Sequence, residues 1–303
     1  MKAIIDLGTN TFHLLIANLN GSAIDIIEKV QIPVKIGEGG INNQQISEAA
    51  FKRGMQALEL FSEVIKKHDL TEIKAFGTSA IRDAENGAKF IQQAVDLGIP
   101  IEAISGDAEA QLIYEGVKHS MTMPEQPVLV MDIGGGSVEF IIGMKDQILW
   151  KESFKLGAAR LIERFHLTNP ITTDEVLKLS LFIEESLASL WQSLNLYPAS
   201  ILIGSAGSFE TLVEVLEKDL NENCPALSAH AHLVSTKQLN QFCALMKQCN
   251  SSERASLKGM ASFRVDMIVA AAILMEVVVA KASIRQVISS AYALKEGMLF
   301  SMR

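Results

Sequence analysis

Cysteine is scarce in this 303-residue chain, with Cys224, Cys243 and Cys249 its only three. An odd count without a CxxC spacing excludes a disulfide framework and a zinc ribbon. The six histidines show no metal-ligand spacing; His230 and His232 stand two apart in a stretch that reads as a loop. No Ser-His-Asp grouping for nucleophilic catalysis can be assembled from the spacing. Positive charge is short as well: 27 Lys and Arg against 35 Asp and Glu leave a net charge of −8. That balance gives no global attraction for nucleic acid or an anionic membrane, so neither is expected as a partner. Any polyanion must be held by local groups. The N-terminus meets an acid at Asp6 and does not read as a signal peptide. The longest apolar segment lies within residues 266–281 and is interrupted by Glu276. Its unbroken run is about half a membrane span, which predicts a buried helix. A cytoplasmic protein is expected. Apolar residues at 49% and charged residues at 20% are ordinary, and the length suits two domains.

Organisation along the chain supports the same division. Strands are predicted at residues 3–8, 11–18 and 24–36, joined tightly enough for an antiparallel meander. Helical spacing follows at 46–67, then a strand at 73–76, a helix at 84–97, a strand at 99–104 and a helix at 108–117. Pro124 and Pro127 mark a linker. The order then begins again: strands at 128–133, 138–142 and 148–154, helices at 158–165 and 173–194, a strand at 201–203, and a helix after Gly207. The remainder reads as helical, with a late strand near 287–289. Residues repeat along with order. Ile5-Asp6-Leu7-Gly8-Thr9-Asn10-Thr11 aligns with Met131-Asp132-Ile133-Gly134-Gly135-Gly136-Ser137. Two copies of one supersecondary unit predict two similar α/β domains, at 1–123 and 127–303.

Each repeat ends its first strand in a turn that suits an anion. Glycine lets backbone N–H groups converge without an intervening Cβ, and the hydroxyls of Thr9, Thr11 and Ser137 add donors. Thr9, Asn10 and Thr11 in one copy, with Gly134, Gly135, Gly136 and Ser137 in the other, are therefore candidate phosphate ligands facing each other across a cleft. In a third loop, Gly207 and Ser208 open a helix directly after a strand, where free N–H groups favour an anion; a plain strand-to-helix connection is the other reading. Asp132 stands at a strand end beside a phosphate loop, where magnesium is wanted. Glu139 reads either as a second metal ligand or as a solvated strand residue. Asp6, the counterpart of Asp132, binds metal or orients its own loop. Glu109 falls in the first turn of a helix capped by Ser105 or Asp107, and is either a capping glutamate or an acceptor for a water proton. Arg82 is a surface residue or a bidentate phosphate ligand. Lys151, Lys155, Arg160 and Arg164 form either a cationic track or a solvated face.

Together these stretches resemble the exopolyphosphatase and guanosine pentaphosphate phosphohydrolase (Ppx/GppA) family of the actin-like, sugar kinase and Hsp70 ATPase superfamily. The resemblance runs through residues 5–13, 77–82, 104–110, 132–139, 155–161 and 204–207, and through Leu294-Lys295-Glu296-Gly297. It implies a ribonuclease H-like (actin-like ATPase) fold in both halves, with an active-site cleft between the domains. It implies Glu109 as general base, Arg82 as phosphate ligand, and Asp132 and Glu139 as the Mg2+ site. Inorganic polyphosphate is the substrate expected first, and guanosine pentaphosphate second. Ala108 and Gln111 depart from the acid and arginine usual around the catalytic glutamate, which bears on substrate preference. Longer relatives carry a further helical region beyond the position of Arg303, so short-chain, distributive action is expected here. Two rival classes are a sugar-kinase-type phosphotransferase, for which no acceptor motif is visible, and a nucleotide-responsive actin-like binding protein, for which no filament or peptide-binding motif is visible.

Overall fold

The meander predicted at the N-terminus is the start of a mixed sheet in the structure, a computed structural model that describes residues 1–21, 23–70 and 72–302. Strands β1 (Lys2–Leu7), β2 (Phe12–Asn20) and β3 (Ala23–Ile32) pair antiparallel. There follow α1 (Glu48–Ile65), β4 (Glu72–Gly77), α2 (Ser79–Arg82), α3 (Gly87–Asp96), β5 (Ile101–Ala103) and α4 (Gly106–Lys118). Parallel pairing of β4 to β1 and of β5 to β4 gives the order β3-β2-β1-β4-β5. The second half runs β6 (Val128–Ile133), β7 (Val138–Met144), β8 (Gln147–Phe154), α5 (Ala158–Phe165), α6 (Thr173–Ser186), α7 (Ala188–Leu196), β9 (Ile201–Ser205) and α8 (Gly207–Lys218). It closes with β10 (Ala226–Ser228), β11 (Ala231–Ser235), α9 (Thr236–Gln248), α10 (Ser251–Ser256), α11 (Ile268–Lys281), β12 (Gln286–Ser290) and α12 (Leu294–Phe300). Its sheet has the order β10-β11-β12-β9-β6-β7-β8. Read from β8, the series β8-β7-β6-β9-β12 repeats the first sheet strand for strand, and the β10–β11 hairpin is added at the far edge.

The central strands are buried on both faces, which is why they read as apolar runs without alternation. In β6, Leu129 and Met131 face the second-half core, while Val128 and Val130 face a core shared between the sheets. The same division splits β1 into Ala3 and Ile5 on one side and Ile4 on the other. The apolar segment near residue 270 is α11, a helix buried almost all round; among the described residues no helix is long and apolar enough to cross a membrane. The helix expected at 173–194 is two, because Leu187 leaves helical geometry at φ −95° and ψ 23°. The β10–β11 hairpin escaped the sequence reading: its strands are short, and in β10 the residues are exposed or half-buried, so no apolar period marks them. His232 lies in this hairpin and His230 between its strands.

Between the sheets lie α4 and α12, whose Ile113, Val117, Met298 and Leu299 fill the shared core together with Ile4, Val130 and Ile141. Two glycines let the backbones of these helices touch. A Cβ on Gly297 would stand 1.8 Å from the Leu112 carbonyl oxygen, and one on Gly116 2.1 Å from that of Ala293. Neither oxygen can retreat without bending a helix. Gly297→Ala should therefore cost about 2–3 kcal/mol, the upper part of the overpacking range, read as a lowered urea midpoint; a wild-type midpoint would contradict this packing.

Candidate active site

The two glycine hairpins are built alike. Gly8 N donates to Thr11 O at 3.1 Å, and Gly134 N donates to Ser137 O at 3.0 Å. They meet tip to tip. A Cβ on Gly136 would lie 2.5 Å from Thr9 Oγ1 and 2.7 Å from Ser79 Oγ, and one on Gly135 would lie 3.1 Å from Thr9 Cβ. Only glycine permits this approach, and the result is a cleft lined by Thr9, Asn10, Thr11, Gly134, Gly135, Gly136 and Ser137. Gly207 and Ser208 line it too, at the start of α8. The residue before them, Ala206, has φ +63° and ψ 179°, a region that non-glycine residues occupy only under strain. The cleft encloses a cavity of about 150 Å3 that opens to solvent.

Carboxylates crowd one side of it. In the register of the sheets Asp6 pairs with His13, and Asp132 pairs with Glu139. Asp132 accepts a hydrogen bond from Ser205 Oγ at 2.7 Å, and Glu139 accepts one from Ser153 Oγ at 2.6 Å. Glu109 sits on α4, where Ser105 is the cap and bonds Ala108 N. Freed from capping, Glu109 Oε2 accepts from Arg82 Nη1 at 2.9 Å, while the same nitrogen reaches the Ile104 carbonyl at 3.1 Å. Burial pushes Asp6 up to about 7, helped by Asp132. It pushes Asp132 to about 6 against the pull of Ser205 and Lys295. Burial and then Asp132 raise Glu139 to about 7. Glu109 rises well above the usual carboxylate range through burial first and Glu139 second, with Arg82 opposing. His13 is held well below its ordinary value by burial and by Lys295, Lys29 and Arg264, and its Nδ1 has no partner among the described residues.

Several alternatives left open by the sequence close here. Glu139 is 1% exposed, so it is no solvated strand residue. Arg82 is directed at Glu109 and Asp83, not at solvent. The four basic residues after the second hairpin do not make a track. Arg160 is buried and donates to Gly136 O, Ile41 O, Ser79 Oγ and Asp83 Oδ2. Arg164 covers the Phe182 ring, Lys151 is taken by Asp107 and Gln111, and Lys155 lies 3.4 Å from Asp83. Arg160 instead ties the second glycine hairpin to the first half. The charged cleft residues absent from the candidates include Lys29, Glu210, Arg264 and Lys295. Lys295 stood within a recognised motif, yet a lone lysine in an apolar helix start carries no signal of its own.

Two repeated sheets with a cleft between matching β-hairpins define an α/β protein of the actin-like ATPase type. The sequence profile described as the Ppx/GppA phosphatase family matches residues 15–303. A crystal structure of an exopolyphosphatase from Cytophaga hutchinsonii is 36% identical, with a TM-score of 0.94 over 99% of this chain and 97% of that one. An Aquifex aeolicus PPX-GPPA enzyme is 25% identical, with a TM-score of 0.80 over 99% and 98%. A Haemophilus influenzae protein is 29% identical over 302 residues, covering 99% of this chain and 90% of its own length. The chain belongs to the Ppx/GppA phosphatase family and is a phosphoanhydride hydrolase.

The buried guanidinium of Arg160 gives a sharp comparison with its neighbour. Arg160→Gln leaves carbonyls and Asp83 without their cation and should cost about 3 kcal/mol. Arg164→Gln, at an exposed ring face, should cost less than about 1 kcal/mol. Equal losses in chemical denaturation would show that Arg160 is not the tie described.

Proposed function

We propose that this protein is an exopolyphosphatase that releases the terminal phosphate of inorganic polyphosphate by attack of water. The arrangement that carries the reading is Glu109, buried and aligned by Arg82, at the edge of a cleft closed by two phosphate-type hairpins. The name of the Cytophaga relative favours polyphosphate over guanosine pentaphosphate, the second substrate of the family's name. The reading keeps two domains, 1–123 and 127–303, in a cytoplasmic enzyme.

In this reading the terminal phosphate lies between the Thr9 and Gly135 turns, with the Gly207 and Ser208 N–H groups at a third side. Glu109 orients a water and accepts its proton as the water oxygen bonds to the terminal phosphorus. The bridging P–O bond breaks with its electron pair left on the shortened chain, so that orthophosphate and a chain one unit shorter are the products. Arg82 and the loop N–H groups stabilise negative charge on the transferring phosphoryl group. Arg82 opposes the burial that raises Glu109 and so favours the ionised form that accepts a proton.

Asp132 and Glu139, with Asp6 behind them, have the donor chemistry for Mg2+. Among the described residues no cluster of three or more His, Cys, Asp or Glu makes a full metal cage. Magnesium asks for one or two carboxylates and fills its remaining positions with water and substrate oxygens. Neighbouring buried carboxylates that resist ionisation form a site short of positive charge. When bound there, the ion neutralises non-bridging phosphate oxygens.

Replacing Glu109 with glutamine keeps size and polarity but removes proton acceptance. Turnover should fall by about 10²–10⁴-fold while polyphosphate still binds; near-wild-type turnover in a folded variant takes Glu109 out of this role. The metal is tested by pH and heat. Asp6, at about 7 in the fold against an ordinary 3.8, keeps its proton in the folded state and loses it early in the unfolded one. Stability without metal should therefore decline as pH rises from about 4 through about 7. Magnesium needs ionised ligands, so it should raise the unfolding temperature clearly at pH 8 and little at pH 5. An equal rise at both values, or none at either, would count against the site.

A further inference from the structure

We propose that Lys295 binds the inner phosphates of the substrate, those on the leaving-group side of the bond that breaks. The inference rests on the polyphosphate-cleaving reading above. Lys295 occupies the first turn of α12 and lines the cleft with Asp6, Asp132 and His13. Among the described residues its Nζ has no hydrogen-bond acceptor and no carboxylate within 4.0 Å. The carboxylates that act on it from a distance are Glu296, Asp6, Glu210 and Asp132. Arg82, in contrast, is already engaged by Glu109, Asp83 and the Ile104 carbonyl. Lys295 is thus a cation facing the cleft with its donors uncommitted, where an anionic ligand would complete it.

Its place along the cleft follows from the helix pair. The first turn of α12 is pressed on α4 at Gly116, whose missing Cβ leaves room for Ala293 O. Gly116 lies seven residues beyond Glu109 on the same helix (116 − 109), roughly 10 Å along its axis. The next turn of α12 meets α4 nearer the base, where Gly297 touches the Leu112 carbonyl, so Lys295 is rooted between about one and two helical turns from Glu109. The reach of the charges agrees: Arg82 acts on Glu109 and Glu139, whereas Lys295 acts on Asp6, Asp132 and His13. Arg82 thus serves the Glu109 side, while Lys295, which lines the cleft together with Lys29 and Arg264, serves the Asp6 side. A terminal phosphate beside Glu109 leaves its chain running toward Lys295. An ammonium holds phosphate as a point charge without demanding one bidentate orientation, which suits chains bound in more than one register.

Binding to a chain and to a single phosphate separates this role from a structural one. In a Glu109→Gln background, which blocks turnover, calorimetry gives the affinities for tripolyphosphate and for orthophosphate with magnesium present. Lys295→Met should weaken tripolyphosphate about tenfold or more, the loss of one charge-assisted contact. It should leave orthophosphate within about twofold, since one phosphate at the Glu109 end does not reach Lys295. Lys295→Arg should restore most of the tripolyphosphate affinity, and Lys295→Gln is the second variant should the methionine form not fold. With Glu109 intact, KM for tripolyphosphate should rise and kcat stay within about threefold, as expected for a contact present in both ground and transition states. Equal losses for the two ligands, or unchanged tripolyphosphate affinity, overturn the inference alone. A wild-type protein that cleaves no polyphosphate overturns the reading beneath it, and this inference with it.

Discussion

Asp6, Asp132, Glu139 and Glu109 are brought out of water into one cleft, and much of the surrounding structure answers the resulting charge. Burial raises each of them above the ordinary carboxylate range, and mutual repulsion adds to it. Hydroxyl donors from Ser205 and Ser153 hold two of the groups in place. Arg82 faces the third, Glu109, and Lys295 acts on the fourth, Asp6, as well as on Asp132. Such a cluster is unfavourable in an isolated protein and becomes favourable when cations and a phosphate chain enter together.

Duplication explains how one fold places these groups so closely. Matching hairpins of two sheets approach tip to tip, and glycine at Gly135 and Gly136 permits the contact. The copies have diverged at one register position: where the second carries Glu139 opposite Asp132, the first carries His13 opposite Asp6. One hairpin therefore carries a pair of buried carboxylates. The other carries a buried imidazole, its Nδ1 without a partner among the described residues, beside a single acid. The helices between the sheets fix the remaining geometry, since α4 brings Glu109 and α12 brings Lys295 through a contact that tolerates no side chain at Gly116 or Gly297. Arg160 adds a second tie on the opposite flank, from the Gly136 carbonyl to Ile41 and Ser79.

Much of this was legible in the sequence because short-range chemistry carries it. Glycine and hydroxyl residues after a strand announce a phosphate turn, and two such turns with the same flanking order announce a repeat. The α/β order of the first half, and of the second as far as α8, followed from apolar period and turn residues. Long-range contacts were not legible. Whether Glu109 caps its helix or meets Arg82 depends on residues 27 positions apart, and local spacing favours the cap. Arg160 read as one member of a cationic track or a solvated face, because nothing nearby in sequence shows that its guanidinium spans the two halves. The β10–β11 hairpin was missed since its short strands bury few residues, and the break at Leu187 has no proline or glycine to mark it. Lys295 lay within a recognised motif, but its exposure to the cleft comes from the packing of α12 on α4.

The central claim, that water held by Glu109 attacks the terminal phosphorus, is tested most directly by isotope. Long-chain polyphosphate is incubated with the protein and magnesium in 18O-enriched water, and both products are analysed by mass spectrometry. The account predicts one 18O atom in each released orthophosphate and none at the new end of the shortened chain. Label on the chain end, or phosphate transferred to another acceptor without label, would contradict it.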